Sequence, residues 1–156
     1  MKTLATLGLA VVLGTTGVHA EEEGWGVRFG FGDDPDQAIV GAQYDVGEVA
    51  NHIHVVPMLE VGFGDDHTVV SFAGFAHWHF KKVDKIDPYA GAGVEAGWID
   101  HDDDGPGQGD NDDFEIQLDF VGGLRFPMKS GNEFFVELIL GTGDLHDAQI
   151  MGGFRF

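Results

Sequence analysis

The chain has 156 residues, a formal net charge of −19 and no cysteine, with 27 acidic residues against 8 Lys and Arg. This charge excludes the basic patch of a nucleic-acid-binding protein, and the lack of cysteine excludes disulfide scaffolds, thiolate metal sites and cysteine nucleophiles. The length allows one domain, and an aromatic content of 12% does not fit a disordered chain.

The first twenty residues predict a secretory signal peptide. Met1 and Lys2 form a basic start, residues 4–14 are an apolar run, and Ala20 ends a cleavage site of the A-x-A kind. The run is shorter than the ~20 apolar residues of a transmembrane helix. We therefore predict a signal peptide over residues 1–20 and a mature domain over residues 21–156. A buried N-terminal helix is the alternative.

Eight segments of the remaining chain alternate apolar and polar residues with a period of two, which is typical of a two-faced β-strand. An even strand number, a secretory signal and this alternation together predict an all-β fold. The predicted architecture is an eight-stranded antiparallel up-and-down transmembrane β-barrel in the cell outer membrane. The segments are 25–31, 38–46, 54–63, 70–80, 89–99, 114–126, 134–140 and 148–156.

Two features of these segments favour a membrane barrel over a soluble secreted β-barrel. Aromatic residues such as Trp25, Phe63 and Phe126 stand at the ends of the apolar faces, where an interfacial girdle is expected. The polar faces are rich in Gly, Ala and Ser, which suits the crowded interior of a narrow barrel. The soluble barrel remains an alternative, in which the apolar faces would form the core.

The connections between the segments alternate in charge. The first, third, fifth and seventh hold 14 of the 27 acidic residues and no Lys or Arg. The connections 81–88 and 127–133 hold the four Lys that follow residue 20. Because alternate connections of an up-and-down barrel lie at the same end, one rim should be acidic and the other should carry the lysines. We expect the acidic rim to form the extracellular loops.

The polar faces also contain arginines and carboxylates that would point into the lumen. Strands one and eight are neighbours at closure, so Arg28 and Arg155 should face one shared cluster of Arg–carboxylate pairs. An eight-stranded lumen is just wide enough to be filled by such side chains, which predicts a polar plug rather than a large pore. The predicted lumen ion-pair residues are Arg28, Glu60, Glu95, Asp119, Arg125, Glu137 and Arg155.

The longest connection contains the spacing of a calcium-binding loop. Asp residues at positions 1, 3 and 5 are followed by Gly105 at position 6, but position 12 is Asn rather than the bidentate Glu. The speculative Ca²⁺ ligands are Asp100, Asp102, Asp104, Asn111 and Asp112. The alternative, which we prefer, is a solvated acidic loop, so that the protein has no cofactor.

The chain ends in Gly153-Phe154-Arg155-Phe156, which is similar to the last strand of outer-membrane β-barrels. Residues 88–93 and 122–126 also resemble strand motifs of the outer-membrane β-barrel domain family, the stand-alone OmpA/OmpX-like barrels. The resemblance implies a Gram-negative host, insertion into outer-membrane lipid, and recognition of the terminal Phe by the barrel-assembly machinery. It implies no common reaction and no catalytic residues.

His77 and His79 stand two residues apart on one strand face. Lipid A deacylases are eight-stranded barrels with a His–Ser–acid arrangement on the outer wall, but here Ser71 is six residues from the pair and the pair should point inward. We therefore expect a monomeric barrel of structural or surface-interaction type without enzymatic activity. The alternatives are a small channel, a Ca²⁺-binding surface protein, or the soluble secreted barrel.

Overall fold

A computed structural model describes residues 23–34, 36–65, 67–101 and 112–156, with the backbone alone at residues 101 and 112. The predicted signal peptide, residues 1–20, lies outside the described residues. None of the described residues forms a helix, so no helix there is long and apolar enough to span a membrane.

The described residues form nine antiparallel strands. They are β1 (Gly24–Asp33), β2 (Gln37–Asp45), β3 (Glu48–Ala50), β4 (Ile53–Phe63), β5 (His67–His79), β6 (Asp87–His101), β7 (Asp112–Pro127), β8 (Glu133–Gly141) and β9 (Ala148–Arg155). Eight of them coincide with the predicted segments, and β5, β6 and β7 extend beyond the predicted bounds because residues of either polarity are tolerated toward the rims.

The eight long strands close into a barrel. Each pairs with its neighbour in the chain, β2 pairs directly with β4, and β1 pairs with β9. Closure leaves no free edge between the long strands, so each of them pairs with a neighbour on both sides. Backbone groups in the hydrocarbon core of a membrane need such partners, because no water is available there. The predicted eight-stranded antiparallel up-and-down barrel is confirmed.

The strand β3 is an addition that the sequence pattern did not predict. It is a three-residue strand that folds back on the start of β4, with Glu48 opposite His54 and Ala50 opposite Ile53. The fold-back is made by Gly47 and His52, whose φ angles of 87° and 63° are in the left-handed region. A strand this short has no room for a detectable alternation.

The two rims of the barrel differ in their connections. One, which we call the lysine rim, holds the start of β1, the end of β9 and the turns 46–52, 80–86 and 128–132. The other, the acidic rim, holds the end of β1 and the start of β2, the end of β4 and the start of β5, the end of β6 and the start of β7, and the connection 142–147. At the lysine rim, Gly131 has a φ of +88° and donates its N–H to the carbonyl of Met128 (3.2 Å), which makes a tight turn.

The outward face of the barrel is apolar from one rim to the other. Its large side chains are exposed in the isolated chain, as expected for residues that contact lipid. Aromatic contacts occur toward both rims: Trp25 with Tyr44 (4.9 Å between ring centroids) and Trp98 with Phe114 (5.1 Å). Further exposed residues include Phe29, Val40, Leu59, Phe72, Val94, Ile116, Leu118, Phe120, Leu138 and Ile150. This outer wall contradicts the soluble alternative, whose apolar faces would be buried.

The inward face is a mixture of polar and apolar side chains. An apolar group that includes Ile39, Val56, Phe75 and Val121 fills the width of the lumen. Inward glycines make the space, because a Cβ at Gly123 would meet the Tyr89 ring. Many inward side chains of the described residues are thus buried, as expected for the narrow interior of an eight-stranded barrel.

The connection between β8 and β9 turns into the mouth of the barrel. Gly141 donates its N–H to the Asp147 carbonyl (2.8 Å), and Asp147 donates its N–H to the Asp33 carbonyl (3.0 Å). These bonds tie the connection to the end of β1, and they direct Leu145 and His146 inward, where both are fully buried. Sequence reasoning treated this segment as one more solvated acidic loop.

Candidate functional site in the lumen

The cluster nearest the lysine rim is organised around Asp45, at the end of β2. Its Oδ2 accepts from Arg125 Nη2 (2.8 Å) and Arg155 Nη1 (2.6 Å), and its Oδ1 lies 2.9 Å from His54 Nδ1. Arg155 also reaches Glu133 (2.7 Å). Since Asp45 is completely buried, these charge-assisted bonds compensate the cost of removing its charge from water.

The middle cluster is organised around Arg28, on β1. Its guanidinium contacts Glu60 (Nε to Oε1, 2.6 Å) and Glu137 (Nη2 to Oε2, 3.0 Å), and it donates to Gln43 Oε1 (3.0 Å). Tyr89 donates its O–H to the other oxygen of Glu137 (2.5 Å). A buried arginine thus spans the lumen from β1 to both β4 and β8.

The ring of Tyr89 connects these two clusters. It stacks on His77 (4.8 Å) and His79 (5.3 Å), and the Arg125 guanidinium carbon lies 5.2 Å from its centroid. Both histidines are buried, and His79 Nδ1 lies 3.2 Å from Asp87 Oδ2. The histidine pair therefore faces the lumen near the lysine rim.

The third cluster lies under the inward-turned connection at the acidic rim. His146 Nε2 is 2.9 Å from Glu95 Oε2 and 3.8 Å from Asp119 Oδ1. Gln117 donates from Nε2 to Asp119 Oδ1 (2.7 Å) and accepts at Oε1 from the Leu145 N–H (3.1 Å). All four polar side chains are buried.

The predicted lumen residues are all inward, but the expectation of one shared cluster is wrong. Arg28 and Arg155 are on adjacent strands, yet Arg28 reaches Glu60 and Glu137 in the middle of the barrel, whereas Arg155 reaches Asp45 near the lysine rim. The reason is the height of the barrel, since side chains on one long strand sit at different levels. Glu95 and Asp119 belong to the third cluster, away from the arginine pairs.

Tyr89, Gln117 and His146 complete these clusters, and sequence reasoning did not single them out. Asp45 was expected to point inward but was not among the predicted ion-pair residues. The available signal for His146 was Leu145, an apolar residue inside an acidic connection. Asp45 and Gln117 stood on polar faces like many other residues, so alternation alone could not select them.

Of the speculative Ca²⁺ ligands, Asp100 is exposed at the end of β6. Asp102, Asp104 and Asn111 lie outside the described residues, and Asp112 is described by its backbone alone. The Ca²⁺ loop stays a prediction.

No family model and no curated protein sequence matches the chain significantly. Solved structures do match. The N-terminal β-barrel domain of Pseudomonas aeruginosa OprF aligns with a TM-score of 0.67 and 12% identity, over 86% of this chain and 95% of that one. Neisserial surface protein A aligns with a TM-score of 0.60 and 12% identity, over 85% and 92%. The outer membrane enzyme PagL aligns with a TM-score of 0.50 and 13% identity, over 85% and 97%.

The fold is that of the OmpA/OmpX-like eight-stranded outer-membrane barrels. Together with the apolar outer wall, it places the protein in the outer membrane. Because one similar structure is an enzyme and the other two carry no such description, the fold does not decide whether this chain has an activity.

Proposed function

We propose that the protein is a monomeric structural or surface-interaction barrel whose lumen does not conduct ions. The observation that carries the proposal is the burial of Leu145 and His146 in the barrel mouth, above two further layers of cross-lumen contacts. Opening a water-filled path would require breaking the bonds of Arg28, of Asp45 and of the inward-turned connection together.

The acidic rim is the extracellular one in this proposal. Outer-membrane barrels have short periplasmic turns and longer extracellular loops, and the longest stretch of sequence between two strands separates the ends of β6 and β7 that lie at the acidic rim. A cleft of about 400 Å³ at this rim is lined by acidic side chains, among them Asp34, Asp113, Asp144 and Asp147. The protein would present this negative surface to its surroundings.

A structural role without catalysis is favoured by the position of the histidine pair. His77 is enclosed by the Tyr89 ring and neighbouring lumen residues, and His79 lines a cleft at the lysine rim. Neither faces the outer wall, where a lipid substrate would lie. Outer-membrane lipid is the partner that the apolar wall fits, and exposed Phe156 suits recognition by the assembly machinery.

Conductance across a planar bilayer tests the proposal. The refolded protein, shown to be folded by its altered gel migration before boiling, should give no stepwise currents. A variant that combines Leu145→Gly and His146→Gly with Arg28→Gly and Asp45→Gly should conduct, because it removes side chains of all three layers of contacts. Asp144→Gly, a substitution at an exposed position in the same connection, should give no stepwise currents. Stepwise currents through the unaltered protein would contradict the proposal and favour a small channel.

A further inference from the structure

The third lumen cluster has the geometry of a metal-binding site. One ligand atom each from Glu95, Asp119 and His146 lie within 4.8 Å of one another, on three separate parts of the fold: β6, β7 and the β8–β9 connection. Ligand atoms bound tetrahedrally at ~2.1 Å from one ion lie ~3.4 Å apart. The separations from His146 Nε2, 2.9 Å to Glu95 and 3.8 Å to Asp119, fall on either side of that value.

The charges of this cluster are not balanced by its own side chains. Glu95 and Asp119 carry two negative charges when ionised, and His146 supplies at most one positive charge. The arginines of the other clusters form their ion pairs with Glu60, Glu137, Asp45 and Glu133. Because an uncompensated buried charge is costly, the cluster needs either a proton, through which Glu95 and Asp119 hydrogen-bond to each other, or a cation in its place.

Two buried atoms of the cluster have no hydrogen-bond partner among the described residues. They are Asp119 Oδ2 and His146 Nδ1. Asp119 is completely buried, so bulk water does not reach its second carboxylate oxygen. An ion at the cluster would replace the proton between the Glu95 and Asp119 carboxyl groups and would use the oxygen atoms that this proton now joins.

The amide of Gln117 marks the point toward which the three ligands converge. Its Nε2 lies 2.7 Å from Asp119 Oδ1, 2.9 Å from His146 Nε2 and 3.4 Å from Glu95 Oε2. An amide has two N–H groups for these three neighbours, so one of them is left without a proton from Gln117. A cation can take the place of this donor if the amide turns aside.

From this arrangement we propose that Glu95, Asp119 and His146 bind one divalent transition-metal ion of the Zn²⁺ type in the lumen. One imidazole and two carboxylates are ligands that Zn²⁺ accepts with four-fold coordination, whereas Ca²⁺ takes six to eight oxygens. Rotation of the Gln117 amide would offer Oε1 as a further oxygen ligand, at the expense of its bond from the Leu145 N–H.

The acidic cleft provides a source of cations for this site. The β8–β9 connection contributes Gly143, Asp144 and Asp147 to the cleft on its outer side and His146 to the cluster on its inner side. A negatively charged cleft raises the local concentration of cations, which increases the rate at which they bind. Movement of this one connection would admit an ion and then supply its third ligand. The site is independent of the proposal that the lumen does not conduct.

Calorimetric titration of the refolded protein with Zn²⁺, in the presence of millimolar Ca²⁺, tests the site. Excess Ca²⁺ occupies oxygen-only sites in the acidic connections, so the remaining heat should report one Zn²⁺ per chain. Replacing Zn²⁺ by Co²⁺ should give a visible absorption band of a site with nitrogen and oxygen ligands. Binding should weaken at least about tenfold in Glu95→Gln, Asp119→Asn and His146→Gln.

Each site variant has a matched control at the same end of the barrel. Glu115→Gln, Asp147→Asn and His67→Gln make the same chemical changes in residues that line the acidic cleft. The controls should bind Zn²⁺ as the unaltered protein does. If the site variants fail to give the gel shift of a folded barrel, retention of one-to-one binding by all three controls excludes the cleft and supports the buried cluster.

Two results would overturn the proposal. One is the absence of one-to-one Zn²⁺ binding by the folded, unaltered protein. The other is an equal loss of binding in the site variants and their controls, which would assign the ion to the rim. Neither result would affect the conductance measurement, so the proposed function and the metal site fail separately.

Discussion

The two ends of the lumen differ in the side chains that pair with their buried carboxylates. Near the lysine rim, Asp45 is held by Arg125 and Arg155, with His54 on its other oxygen. Near the acidic rim, Glu95 and Asp119 share His146. At the first end, guanidinium groups, which stay charged at every accessible pH, pair with one carboxylate, whereas at the second end one imidazole nitrogen faces two carboxyl groups. The first cluster is therefore balanced by its own side chains, whereas the second is the one at which we propose that a cation binds.

The largest effect is expected for Asp45→Asn. The substitution leaves buried Arg125 without its carboxylate and takes one of two carboxylate partners from half-buried Arg155, so the free energy of unfolding should fall by about 3–5 kcal/mol. Urea-induced unfolding in lipid vesicles, followed by tryptophan fluorescence, measures it. Asp33→Asn, at an exposed position, is the control and should change little. A loss as small as that of the control would mean that the arginines find other partners, and the contrast between the two ends would disappear.

A smaller effect is expected for Tyr89→Phe, at the junction of the lysine-rim and middle clusters. The ring stack on His77 is kept, but Glu137 loses a hydrogen bond, which should cost about 1.5–3 kcal/mol. Tyr44→Phe is a matched control, because the Tyr44 hydroxyl also donates to a carboxylate, Glu23 (3.0 Å), but at the exposed surface. We expect that loss to be below about 1 kcal/mol. Equal losses would show that burial does not strengthen the Tyr89 bond.

The smallest effect is expected for Glu95→Gln, measured with a chelator present. The substitution removes one of two neighbouring negative charges and keeps an oxygen acceptor, so stability should change by less than about 1 kcal/mol in either direction. Glu137→Gln, which removes a partner of Arg28, makes the same chemical change and should destabilise the barrel clearly more. If the two variants were equally destabilised, Glu95 would be as firmly balanced as the arginine-paired carboxylates.

The strands and the direction of their side chains were predictable from the sequence, because residues that face lipid must be apolar and therefore recur at every second position. In β7, Ile116, Leu118 and Phe120 face outward while Gln117 and Asp119 face inward, as the period of two predicts. The local exceptions, such as Phe135 and Ile139 inside the barrel, reflect a lumen that tolerates both polarities. Because lipid restricts the outward residues to apolar types, the alternation also identified which residues of each strand point inward.

The grouping of lumen residues was not predictable in the same way. Alternation shows that Arg28 and Arg155 point inward, but which carboxylate each reaches depends on strand stagger and side-chain direction along the barrel. The position of His146 depends on the bonds of Asp147 and Asp33, which join the connection to β1. Such contacts arise between segments that are distant in the chain and leave no periodic signal.

The location of His146 has a consequence for assembly. It lies two residues before β9, the strand that seals the barrel against β1. Glu95 and Asp119 are on β6 and β7, and their third partner stands beside the closing strand. The three side chains therefore come together only where β9 is in place, so that the closed barrel and the complete cluster depend on the same strand.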